Sequence, residues 1–214
     1  MSNEEYSYYP LFLKVRGRKC VVVGGGEVAL RKVEALLGYG AEVKVISPCV
    51  CPELEELGAR KSIRIAGRKY QEGDLEDTFV AIAATDDNET NKAVVSEAGQ
   101  KFVLVNVVDD AEKSDFIVPS CLRRGDITVA VSTGGRSPAL ARKLRLRLES
   151  EFGEEYALLA DVIGDVRKEL KSKRITVSAE TWQQALDLDV LIGLLRNGEA
   201  KKARTVLLDN LGLK

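Results

Sequence analysis

Residues 19–29, KCVVVGGGEVA, constrain the fold more than any other stretch of the chain. A β-branched run (Val21, Val22, Val23) meets three glycines, and a helical pattern follows at once through Val28, Ala29, Val33, Leu36 and Leu37. This pattern predicts a buried strand turning directly into a helix. The join reads Gly24-x-Gly26-x-x-Ala29, the G-x-G-x-x-A form of the dinucleotide-binding fingerprint. Gly24 permits a tight turn, Gly26 lets the backbone approach a pyrophosphate, and a small residue at 29 lets the helix sit close on the strand. The helix start then offers unpaired N–H groups to the phosphates. Glycines alone can simply make a turn, but a strand before and a helix after favour a nucleotide.

The alternation continues downstream. Residues 42–46 read as a second strand closed by Ser47-Pro48, and residues 52–57 as a short helix ending at Gly58. A weaker third strand is expected over 62–66 and a buried fourth over 79–84, FVAIAA. A helix through Ala93, Val94 and Ala98 precedes a fifth strand over 102–105. Strands alternating with helices predict an α/β fold, a Rossmann-like doubly wound parallel sheet. Past residue 106 the rhythm changes. Residues 116–122 and 127–132 read as two strands of a hairpin joined by Arg123-Arg124-Gly125-Asp126. Ser137-Pro138 is a good cap and first residue for a helix to about 152, with Leu140, Leu144 and Leu148 on one face. Further helices are expected over 156–170, 182–195 and 199–208. The layout predicts a dinucleotide-binding region at 1–113, a small α+β dimerisation and substrate region at 114–150, and an all-helical C-terminal region at 151–214.

Composition narrows the chemistry. Thirty-two Lys and Arg face 33 Asp and Glu in 214 residues, so no global basic field points to nucleic acid. The opening MSNEEYSYYP lacks the basic and apolar regions of a secretory leader, and no apolar run approaches the roughly 18 residues that span a membrane. A cytoplasmic protein is expected. The chain has no histidine, which removes Ser-His-Asp and Cys-His catalysis and leaves acid–base work to Asp, Glu, Lys, Tyr or Cys. Of the four cysteines, Cys20 and Cys121 lie in apolar strands and are expected to be small buried hydrophobes. Cys49-x-Cys51 has neither zinc-site spacing nor a second pair, so no metal site is expected.

At the end of the second strand, where a Rossmann site usually carries an acid for the ribose hydroxyls, the chain reads Lys44-Val45-Ile46-Ser47-Pro48. Ser47 or the backbone at Pro48 and Cys49 must serve instead. No arginine stands there for a 2′-phosphate, which favours NAD over NADP. Thr85, after the fourth strand, should face the crevice, although it is also a good helix cap. The fifth strand runs into Asn106-Val107-Val108-Asp109-Asp110, which sends a carboxylate into the same crevice. Asp109 is a candidate general base, and Asp110 is equally eligible on spacing alone. Thr133-Gly134-Gly135 before the Ser137 cap reads as a second anion site of backbone N–H groups, with Arg136, Arg142, Lys143, Arg145 and Arg147 beside it. That basic run is a solvated helix face, a cradle for a substrate with several carboxylates or, third and poorly supported because aromatics are few and not interleaved with it, a nucleic-acid surface.

Six collinear stretches over about residues 9–150 together resemble the precorrin-2 dehydrogenase family, the N-terminal module of siroheme synthases. They are YPLF from Tyr9, VVGGGEVA-x-RK from Val22, AIAATDD from Ala81, NVVD from Asn106, FIVPS from Phe116 and VAVSTGG-x-SP from Val129. The resemblance implies NAD-dependent oxidation of precorrin-2 to sirohydrochlorin, in a homodimer whose chains intertwine through the middle region. It implies that Asp109, and not Asp110, is the catalytic carboxylate. Cofactor contacts are implied at Gly24, Gly25, Gly26, Glu27, Val28, Ser47, Pro48, Cys49, Thr85 and Asn106. Substrate contacts are implied at Ser132, Thr133, Gly134, Gly135, Arg136 and Ser137. Some members of the family also insert iron, so ferrous ion is a possible second substrate and Asp109 the base that would strip the pyrrole nitrogens. The competing readings are a non-catalytic NAD(H)-sensing Rossmann module and a short-chain dehydrogenase. The latter needs Tyr-x-x-x-Lys, and none of the six tyrosines has a lysine four residues on.

Overall fold

A computed structural model describes residues 8–213. The opening residues 1–7, whose acidic character entered the expectation of no leader, lie outside the described residues. The chain divides after Val118 into two compact units, Met1–Val118 and Pro119–Lys214. The first contains β1 (Lys19–Val23), α1 (Glu27–Gly38), β2 (Glu42–Ile46), α2 (Pro52–Ala59), β3 (Arg64–Ala66), β4 (Val80–Ala83), α3 (Asn88–Lys101) and β5 (Leu104–Val107). The strands form one sheet in the order β3-β2-β1-β4-β5, parallel throughout, with Val22 beside Val45 on one side and Ile82 on the other.

Successive residues of β1 serve opposite faces of the sheet, as strand geometry requires. Cys20 and Val22 join Val45, Ile82, Ala29, Val33 and Leu54 in the core under α1 and α2. Val21 and Val23 join Ile46, Ala83, Val105, Val94 and Ala98 under α3. Burial on both faces explains why these strands read as continuous apolar runs. The strand order reverses between β1 and β4, and ligands of such sheets gather at the carboxyl ends beside that switch.

The second unit holds the hairpin β6 (Ser120–Arg124) and β7 (Ile127–Val131), then α4 (Pro138–Glu151), α5 (Glu155–Ser172), α6 (Ala179–Ala185), α7 (Leu188–Arg196) and α8 (Ala200–Asn210). The antiparallel pair turns over Gly125 and Asp126, with Gly125 at φ 55 as a two-residue hairpin loop demands. A side chain there would also press on Cβ of Ala157 in α5. α4 lies against the hairpin, and α5, α7 and α8 enclose a core of Leu159, Val166, Leu191, Leu195 and Leu207. Among the described residues no helix is long and apolar enough to cross a membrane.

Several boundaries differ from expectation for local reasons. The helix expected over 182–195 is two, because the Asp187 side chain accepts the Val190 N–H and starts α7 afresh. The short helix after β2 passes through Gly58 to Ala59. β5 starts two residues late because Phe102, at φ 54, closes α3 in the left-handed conformation. Asn106 is therefore inside the strand. The strand expected from 116 begins at Ser120, and in it Leu122 faces the interior while Cys121, expected to be buried, is exposed because alternate residues of a strand point to opposite sides.

Candidate dinucleotide site and carboxylate

The glycine turn between β1 and α1 is tied down by its neighbours. Gly24 N–H donates to the Ile46 carbonyl at 3.0 Å, Cys51 N–H to the Gly25 carbonyl at 2.7 Å, and Ala84 N–H to the Val23 carbonyl at 2.7 Å. Gly24 has φ 129, and a Cβ there would run into the Ala84 carbonyl. A Cβ on Gly25 would strike the Cys49 carbonyl and the Ser47 hydroxyl. At Gly26 a Cβ would meet open space. Gly26 is the N-cap of α1 and brings no capping side chain, so the first-turn N–H groups have no side-chain acceptor there. A pyrophosphate fits that opening: backbone donors, a helix start and no Cβ in the way. Glu27 is exposed in the first turn, and Val28 is half-buried behind it.

Beside the turn, a cavity of ≈ 640 Å³ is lined by Ser47, Pro48, Cys49, Glu55, Ile63 and Ile65, among others. It lies on the β2–β3 side of the switch, with apolar walls for a flat base. Ser47 is buried, and its hydroxyl donates to the Cys49 carbonyl, which shapes the loop. Glu55 is a lining residue that the sequence reading missed. The only signal for it is a position on α2 that the β2 loop turns toward this cavity, and spacing from the fingerprint does not reveal that.

On the other side of the switch, Thr85 braces the loop before α3, whose cap is Asp87 and not Thr85. Its Oγ1 accepts the Asp87 N–H at 3.2 Å and its carbonyl accepts Asn91 Nδ2 at 3.0 Å, so the loop that meets Gly24 is fixed by side chains. Asp87 caps α3 by accepting the Glu89 and Thr90 N–H groups, and the Thr90 hydroxyl together with these bonds holds its carboxyl below the usual carboxylate range. Asn106 is buried and donates from Nδ2 to the Phe116 carbonyl at 3.0 Å, so its amide braces the strand end. After β5 the chain turns tightly, with the Asp110 N–H donating to the Val107 carbonyl at 3.2 Å and Asp109 at φ 60. Asp110 is engaged by the Lys113 backbone and ammonium, which pull its carboxyl below the usual range. Asp109 is exposed. Val108, just before it, packs on the same core as Ala29 and Val33 of α1. Burial and then Arg31 depress the ammonium pKa of half-buried Lys32 on α1, and Asp109 acts in the opposite direction. A cation thus stands in electrostatic reach of that carboxylate.

In the second unit, residues 132–137 form a compact loop before α4. Gly134 and Gly135 have φ 61 and 84. Gly134 N–H donates to Ser132 Oγ at 3.0 Å, Ser137 N–H to Thr133 Oγ1 at 2.9 Å, and Leu140 N–H to Ser137 Oγ at 3.2 Å. Several backbone donors that the sequence reading offered to an anion are therefore used within the loop. The exposed Arg136 guanidinium and the hydroxyl protons remain. Arg145 pairs with Glu149 along α4, while Arg142, Lys143 and Arg147 are exposed.

The chain matches the family described as "Putative NAD(P)-binding" over residues 11–120, and "Sirohaem biosynthesis protein central" over residues 124–151. A siroheme synthase of Chromobacterium violaceum is 41% identical over 199 residues, covering 92% of this chain and 42% of that protein. One from Thioalkalivibrio sulfidiphilus is 40% identical over 202 residues, covering 94% of this chain and 41% of that protein. The chain spans about two-fifths of the length of these curated relatives. A solved structure described as SirC, precorrin-2 dehydrogenase, superposes with a TM-score of 0.70 at 26% identity, covering 96% of this chain and 99% of that one.

Proposed function

The chain belongs to the precorrin-2 dehydrogenase and siroheme synthase N-terminal-domain family, and from that premise we propose that it oxidises precorrin-2 to sirohydrochlorin with NAD, toward siroheme. One observation carries the reading. The cavity lies on the β2–β3 side of the glycine turn and Asp109 on the β5 side, so an adenosine in the cavity directs the nicotinamide half toward Asp109. NAD, when bound, supplies a hydride acceptor. Asp109 then takes the proton that leaves the substrate with that hydride, which balances a two-electron oxidation. Glu55 in the adenosine cavity disfavours a 2′-phosphate, which supports NAD over NADP. In the second unit, Arg136 with the hydroxyls of Ser132, Thr133 and Ser137 would take the carboxylate arms of the tetrapyrrole. Insertion of ferrous ion into the product requires the pyrrole N–H protons to leave, and Asp109 would serve there too. The four free thiols support a reducing, cytoplasmic setting.

The test is anaerobic incubation with precorrin-2 and NAD, followed by absorbance, with and without ferrous ion and with NADP in place of NAD. Asp109→Asn suits the control, because Asn tolerates the left-handed backbone that Asp109 adopts. NAD affinity is expected to persist and NADH production to fall about a hundredfold or more. Undiminished turnover in that variant would overturn the role of Asp109. Tight NADH binding by the wild type, with no turnover of any tetrapyrrole, would favour a non-catalytic sensing module instead.

A further inference from the structure

The helical unit carries a cavity of its own, of ≈ 400 Å³, at the end of α5. Leu170 and Val177 form apolar lining, and Arg167, Lys171, Arg174 and Trp182 surround it. No carboxylate is among the lining residues. The Arg167 guanidinium lies over the Trp182 ring, 5.0 Å from its centroid, so cation and aromatic surface are presented together. Nearby cations are spoken for: Lys173 and Arg204 pair with Glu169, and Lys168 pairs with Asp165. Among the described residues, Arg167, Lys171 and Arg174 enter no ion pair.

Cations in the last turn of a helix complement its dipole, which accounts for some of this charge. It does not account for Arg174. This residue follows α5 in the left-handed conformation, φ 56, while the Ile175 N–H closes on the Leu170 carbonyl at 2.9 Å. That is the place where helices ordinarily carry glycine, because a side chain there is strained. The chain keeps a long cation at this strained position, on the wall of a cavity that already holds two unpaired cations and the single tryptophan of the sequence.

We propose that this cavity is a binding site for a flat conjugated molecule bearing several anionic groups, held by Trp182 and by Arg167, Lys171 and Arg174. Two sources share that chemistry: a carboxylated tetrapyrrole and a nucleotide. The site lies wholly within the second unit and does not depend on the dehydrogenase reading.

Trp182 is its own reporter. Its shielding from acrylamide should be followed in the full chain as uroporphyrin, a stable carboxylated tetrapyrrole, is added, and in a separate arm as ATP is added. Saturable shielding in either arm supports the site and identifies its source. Arg174→Gly removes the cation and the backbone strain together. It is expected to leave the melting temperature unchanged or higher while weakening the shielding titration about tenfold, the scale of one lost charge-assisted contact. Lys171→Gln should weaken it in the same direction. Absence of shielding by both compounds at millimolar concentration, or shielding that Arg174→Gly and Lys171→Gln leave unchanged, would overturn the proposal.

Discussion

At Asp109 the backbone adopts φ 60, a conformation that costs a non-glycine residue free energy and that persists where the surroundings enforce it. The Val107–Asp110 turn enforces it here and leaves the carboxylate exposed beyond the sheet. Asp74 is the opposite case. Its side chain is almost fully buried, accepting from Lys44 Nζ at 2.7 Å, Arg68 Nη2 at 2.8 Å and the Gln71 N–H at 3.0 Å. Burial alone would raise its pKa, but the hydrogen bonds from Arg68 and Lys44 prevail and hold the carboxyl far below the ordinary range. The folded value lies below the unfolded one, so the pair stabilises the fold fully above the unfolded value of about 3.9. That contribution fades as pH falls from there toward the depressed folded value. Asp74→Asn is expected to cost about 2 kcal/mol at neutral pH, less than the loss of a fully buried pair, because Arg68 is partly exposed. Chemical unfolding followed by circular dichroism should show the difference from wild type shrinking as the pH is lowered through 3.9.

At the level of elements, the three glycines of the β1–α1 turn separate folding from binding. Gly24→Ala and Gly25→Ala place a methyl against the backbone of Ala84 and of Cys49, so both are expected to destabilise the first unit. Gly26→Ala meets nothing in the protein and should melt like the wild type, yet lose NAD affinity about tenfold or more where the pyrophosphate approaches. Calorimetric titration beside thermal melts of the three variants distinguishes these outcomes. An unchanged affinity in Gly26→Ala would remove the phosphates from this turn. β1, its glycines and α1 were legible because burial on both sheet faces forces an apolar run, and the fingerprint fixes the turn. The break between α6 and α7 was not legible, because Asp187 acts as a cap within a segment whose apolar spacing continues across it. The apolar pattern puts Asn106 at the strand end, but the left-handed Phe102 delays β5, and the Asn106 amide inside the strand is used on the Phe116 carbonyl. Glu55 and Asn91 were invisible for another reason. Each acts through a fold-dependent neighbour, the cavity wall in one case and the Thr85 carbonyl in the other.

On the scale of the whole molecule, α4 raises the question of assembly. It buries Ala141 against the hairpin but leaves Leu140, Leu144 and Leu146 between two-fifths and one-half exposed, among the cations Arg142, Lys143 and Arg147. Leu140 and Leu144 stand one turn apart, so they form a stripe, and a stripe of that kind calls for cover. The homodimer implied by the family resemblance would provide it with a second copy of the same helix. Light scattering at micromolar concentration is then expected to return about twice the mass of one chain, and Leu144→Asp, which places a charge in the stripe, to return the mass of one. The glycine turn, the cavity beside it and Asp109 all lie within Met1–Val118, so the dissociated Leu144→Asp chain should bind NAD as tightly as the wild type. Turnover of precorrin-2 should fall if residues 132–137 must be held by a partner to receive its carboxylates. A wild-type chain that scatters as a monomer would reject the dimer. A Leu144→Asp chain that loses NAD affinity together with its partner would show that the cofactor site is not complete within one chain.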